Sequence, residues 1–172
     1  MPNWIEGQLR IIGKNLDIMN FLSSLEVTPF WADPNGKIIT LQEVGRQTEE
    51  YPSIKSIYSG NSEGSILFPG GDRAYADNTG GSDFYFSYNK EQEEAIGATA
   101  IPFRQAWKVN VEYLAGISEK YNLELKLLAA DSGQWLEQII WIYNGNLLKS
   151  ETTRYSTKEA FFRGCFIPLN GD

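Results

Sequence analysis

None of the 172 residues is histidine, and Cys165 is the sole cysteine. Without an imidazole the chain cannot assemble a Ser-His-Asp or Cys-His nucleophile pair. One thiol and no histidine also exclude zinc sites of the Cys/His type. Any catalysis would have to rest on carboxylates, lysine, tyrosine or serine. A lone cysteine forms no internal disulfide, which fits a reducing compartment, and a cytoplasmic location is expected. No run approaches the roughly 18 apolar residues of a membrane span, and the start has no basic segment leading into an apolar stretch of the secretory kind. Positive charge is scarce as well: 15 Lys and Arg face 22 Asp and Glu, a net charge of −7. No cluster of Lys and Arg suited to a phosphate backbone is present, so no direct nucleic-acid binding is expected.

What the chain does have is apolar and aromatic content, 42% and 13%, enough for a folded domain with its own core. A single domain over residues 1–172 is expected. Residues 3–12 read as a strand stopped by Gly13, followed by "KNLDIMNFLSSL", an amphipathic helix with Asn15 as its N-cap. From Ile101, "IPFRQAW" reads as a strand and "NVEYLAGISEKY" as a helix capped by Asn110. "NLELKLLAAD" and "GQWLEQIIWIYNGN" then read as two strands, the second ending in an Asn144-Gly145 turn. A short C-terminal helix capped by Ser156 or Thr157 is expected within "STKEAFFRGC". Between these blocks, residues 27–100 are Gly-, Asp- and Asn-rich, with "GKIITLQEV" and "DFYFSY" as candidate strands and "KEQEEAIGA" as a short helix or exposed turn. Setting residues 27–100 aside leaves strand, helix, strand, helix, strand, strand. The expected fold is therefore an α+β ferredoxin-like sandwich with its core in 1–26 and 101–146, a large acidic insertion at 27–100 and a C-terminal extension at 147–172.

The opening "MPNW" and the block "FRQAW…ISEKYNLELKLLAADSGQWLEQIIWIYNG" resemble the YubB-type ferredoxin-like domain family. The resemblance covers residues 1–25 and 101–146, under half the chain. It departs from the family pattern at Ile5, where cysteine is common, at Asp131-Ser132-Gly133 in place of Glu-Pro-Gly, and at Lys108-Val109 after the second tryptophan motif, where a proline usually follows. It implies the fold and an origin on plasmids, phages or other mobile elements. It implies no catalytic residues.

Charge is distributed unevenly. Residues 27–100 hold 11 acidic and 5 basic side chains, against 11 and 10 elsewhere. That excess serves either solubility or an acidic surface that engages a basic partner. "FPGGDRAYADNTGGSD" lacks the spacing of a phosphate loop or of a calcium loop and reads as a flexible loop. Trp4, Trp107 and Trp141 are assigned to the core, and Cys165 to a buried apolar role. No catalytic residue, metal or cofactor is expected. The reading that follows is a non-enzymatic protein-binding module of a mobile element, an acidic inhibitor of a host defence protein that handles nucleic acid, of anti-CRISPR or anti-restriction type. Its candidate contacts are Glu49, Glu50, Asp72, Asp77, Asp83, Glu91, Glu93 and Glu94, with Trp31, Tyr51, Tyr75 and Tyr85 as aromatic anchors. The alternative is an accessory adaptor that self-associates through its sheet, with acidity only for solubility. A carboxylate-based enzyme is the remote third reading. The chain is expected to be a monomer or a homodimer.

Overall fold

The computed structural model describes residues 3–28, 39–40, 50–55, 65–70, 73–76 and 84–165. The chain is α+β. It runs β1 (Trp4–Lys14), α1 (Asn15–Ser23), β2 (Glu26–Thr28), β3 (Ile39–Thr40), β4 (Ser53–Lys55), β5 (Ser65–Leu67), β6 (Ala74–Tyr75), β7 (Tyr85–Ser87), a 3-10 turn (Lys90–Gln92), β8 (Ile96–Ala106), α2 (Val111–Lys120), β9 (Glu124–Asp131), β10 (Leu136–Tyr143), β11 (Asn146–Arg154) and α3 (Lys158–Gly164). Among the described residues, nine strands form one antiparallel sheet in the order β11-β10-β9-β1-β8-β6-β5-β2-β3, and β4 pairs with β7 in a separate ribbon.

β1 is central because its alternation serves two neighbours at once. Ile5, Leu9 and Ile11 are buried on one face, opposite Gln105, Ile101 and Thr99 of β8, while Leu9 and Ile11 also meet Leu127 and Leu125 of β9. That face is covered by α1, through Ile18, Met19, Phe21 and Leu22, and by α2, through Leu114 and Ile117. Asn110 caps α2, its Oδ1 accepting the Tyr113 N–H at 3.0 Å. The other face is more polar, and the register aligns Arg10, Lys126 and Trp141 across three adjacent strands. α3 closes one end of that face, seating Phe161 against Ala130 and Leu128. Thr157 caps this helix, accepting from the Ala160 N–H.

Several expectations need correction. Gly13 does not stop β1; the strand continues to Lys14, and the missing side chain makes room for Leu123, whose Cδ2 would crowd a Cβ there. Asn15 is the first helical residue rather than the N-cap, which is Lys14, and its Nδ2 donates to the Gln92 carbonyl at 2.8 Å. Segment 65–76 is not a loose loop in its described part: Ile66, Phe68, Ala74 and Ala76 are buried, and β5 and β6 join the main sheet. β8 begins at Ile96, five residues before the strand read from sequence, and β11 lies where no strand was expected. Trp4, Trp107 and Trp141 fall outside the helix-covered core. Trp4 and Trp141 are half-buried on the polar face, and Trp107 is 57% exposed with φ at 73°. Parity explains the first two: Ile5 and Ile142 take the inward positions, so their neighbours point outward.

A candidate protein-interaction surface

Six of the twelve candidate contacts come together on one margin. The β4–β7 ribbon sets Lys55 opposite Tyr85 and Ser53 opposite Ser87, and the Tyr88 N–H donates to the Pro52 carbonyl at 3.4 Å. Glu50 and Tyr51 therefore enter the ribbon beside the point where Asn89 leads out of it into the 3-10 turn. That turn carries Glu91, followed by Glu93 and Glu94. Tyr51 and Tyr85 are 54% and 53% exposed; Glu50, Glu91 and Glu94 are exposed and Glu93 is half-buried. Tyr85 also lines an open groove of about 450 Å³, together with Asn15, Tyr88, Gln92, Ile96 and Thr99 among others.

The segment is anchored rather than merely adjacent. The Asn15 N–H donates to the Ala95 carbonyl at 3.0 Å and the Leu16 N–H to the Glu93 carbonyl at 3.2 Å. Glu94 pairs with Lys14 at 2.5 Å, and this hydrogen bond and charge hold the Lys14 ammonium above its ordinary pKa.

Tyr75 is not part of this margin. Tyr75 stacks edge-on against Trp4, ring centroids 5.8 Å apart, and Arg104 lies over both rings at 4.7 and 5.1 Å. That sandwich sits on the polar face of the sheet. Trp31, Glu49, Asp72, Asp77 and Asp83 lie outside the described residues.

Two groupings were not anticipated from the sequence. One is the polar sheet face itself, where Lys126 lies 4.3 Å over the Trp141 ring and pairs with Glu124. Its signal was the placing of Gln8, Arg10 and Lys126 at alternate positions of apolar strands. The other is Glu137, only 4% exposed, which accepts from the Tyr155 hydroxyl at 3.2 Å and from the Cys165 thiol at 3.8 Å. Burial, then the Glu137 hydrogen bond, raise the Tyr155 pKa. Cys165 is thus half-buried and polar-bonded rather than a plain apolar filler. No sequence signal joins residues 137, 155 and 165, because the β10–β11 register sets Tyr155 beside Glu137 and the packing of α3 then adds Cys165.

Among the described residues, no group of three or more His, Cys, Asp or Glu is placed to hold a metal ion, and no helix is long and apolar enough to cross a membrane. Comparison with known proteins adds no relative: no family model, no curated protein and no solved structure matches the chain.

Proposed function

We propose that this chain is a non-enzymatic protein-binding module that presents an acidic, tyrosine-bearing margin to a basic partner. One observation carries the reading. Glu50, Glu91, Glu93 and Glu94 share a margin with exposed Tyr51 and Tyr85, in a chain of net charge −7. Aromatic rings flanked by charge are the usual make-up of an interface anchor, and a negative field steers a basic surface toward it. The partner is a protein with a nucleic-acid groove, which the margin occupies in place of phosphates. The resemblance to a mobile-element family supports extending this to a host defence effector, of anti-CRISPR or anti-restriction type, and the lone cysteine supports a cytoplasmic setting for it.

The scaffold in this proposal is a ferredoxin-like sandwich. Its support is the strand order β9-β1-β8-β6, with α1 following β1 and α2 linking β8 to β9 on one face. On this view the segment between α1 and β8 is the insertion that carries the working surface.

The test is competition. Purified protein is titrated into an RNA-guided nuclease and into a restriction endonuclease, each holding labelled duplex DNA, at several salt concentrations. The expected result is DNA displacement from at least one effector, with an association rate that falls as salt rises. The triple variant E50K/E91K/E93K should associate roughly tenfold more slowly at low salt and lose most of the salt dependence. Equal inhibition by wild type and triple variant at low salt would overturn the reading, as would failure to displace DNA from either enzyme.

A further inference from the structure

We propose that two copies of this chain pair through β11, edge to edge, to make one continuous antiparallel sheet. β11 is nine residues long, about 30 Å at the rise of an extended strand. It is hydrogen-bonded to β10 on one side and stands last in the strand order, so among the described residues no strand pairs with its other side. Eight of its nine residues are exposed, and none is proline. Long exposed edges are templates for further strands, and proteins normally blunt them.

The hairpin fixes which backbone groups face outward. Tyr143 and Asn146 close a two-residue turn, with Asn144 and Gly145 at φ 47° and 77°, and residues flanking such a turn exchange both hydrogen bonds. After the irregularity that sets Lys149 opposite Trp141, alternation turns the N–H and C=O of Lys149, Glu151 and Thr153 toward β10. Those of Ser150, Thr152 and Arg154 face away from it. Lys149 and Glu151 lie on one face of the strand and form a pair at 3.0 Å.

The strand is self-complementary in one register. A two-fold axis at Ser150 sets Ser150 opposite its copy as a hydrogen-bonded pair, using outward-facing groups on both sides. The same axis sets Lys149 opposite Glu151 of the second copy, twice by symmetry. Leu147 and Leu148, 49% and 54% exposed, then lie opposite Thr153 and Thr152 of that copy. Shifting the axis to Leu148 or to Thr152 faces Lys149 with Leu147 or with Tyr155 and loses both charge pairs. The occupant that fits this edge is therefore a second copy of the chain. The pairing is independent of the acidic-margin reading, since β10, β9 and β1 separate β11 from β8, whose start lines the groove.

Sedimentation velocity on the full chain tests the pairing. Wild type should associate with rising concentration toward twice its 19.4 kDa mass. Ser150→Pro removes an outward N–H without touching the β10 ladder, and it should give a monomer with an unchanged circular dichroism spectrum. K149E should raise the dissociation constant about tenfold or more, by facing like charges twice, and K149E/E151K should restore it. Wild type that stays monomeric to about 1 mM, the weak end of specific association, would overturn the proposal. So would a dimer that survives both S150P and K149E. Should S150P melt early, the charge-reversal and charge-swap pair decides alone.

Discussion

A residue's side of the sheet sets what its loss should cost. Leu9 is fully buried between β8 and β9 under the helices, so Leu9→Ala should lose about 2–5 kcal/mol in a denaturant titration. Trp4, though larger, is half-buried on the opposite face, where it packs on Arg104 and Tyr75. Trp4→Ala should lose about 1–2 kcal/mol, short of the value for a buried indole. Trp107 holds a left-handed backbone with its ring mostly in water, so Trp107→Gly should change stability by less than about 1 kcal/mol. Tyr113 differs again, because its hydroxyl donates to the Pro69 carbonyl at 2.8 Å and burial raises its pKa. Its neutral form is favoured in the fold, whereas an unfolded tyrosine ionises near pH 10. The resulting stability is complete below about pH 10 and is lost as pH climbs toward the folded value. Tyr113→Phe should cost about 1 kcal/mol at neutral pH and flatten the fall of Tm above pH 10.

At the scale of elements, legibility in the sequence followed periodicity. β1, β9 and β10 carry apolar residues at alternate positions, and α2 carries both an apolar stripe and an Asn110 cap, so all four are readable from residue order. Asn110→Ala should remove about 1 kcal/mol, measured as a Tm shift. β11 was not readable, because "NLLKSETTR" faces solvent on both sides and has no apolar alternation; it is a strand because Asn144-Gly145 turns it onto β10. β5 and β6 were hidden for another reason. They are three and two residues long, and only the buried Ile66 and Ala74 within them and Phe68 and Ala76 beside them mark them as part of the sheet. The candidate margin was half legible. Charge singled out Glu50, Glu91, Glu93 and Glu94, but their meeting with Tyr51 and Tyr85 depends on the β4–β7 pairing across thirty residues. Gly7 was passed over entirely. A Cβ there would overlap the Leu128 carbonyl oxygen, so the β1–β9 seam closes only on glycine. Gly7→Ala should cost about 3 kcal/mol, more than an ordinary strand substitution.

For the whole molecule, one sheet carries two kinds of surface. Helices seal one face, while the other keeps its tryptophans, arginines and lysines half in water with α3 across one end. The excess negative charge falls, in sequence, between residues 27 and 100. On the proposed acidic-margin reading, inhibition should respond to reversal at Glu50, Glu91 and Glu93 and stay unchanged in W4A, if the latter remains folded at the assay temperature. The margin is also not an appendage. The first N–H groups of α1, which any helix leaves without an internal partner, are met by the carbonyls of Glu93 and Ala95. A segment almost eighty residues downstream thus serves as the lid on the helix's open end. Lifting that segment would leave Asn15 and Leu16 bare, so the two must open as a single cooperative unit. A partner clamped on the margin would then slow amide exchange at the start of a helix it never touches.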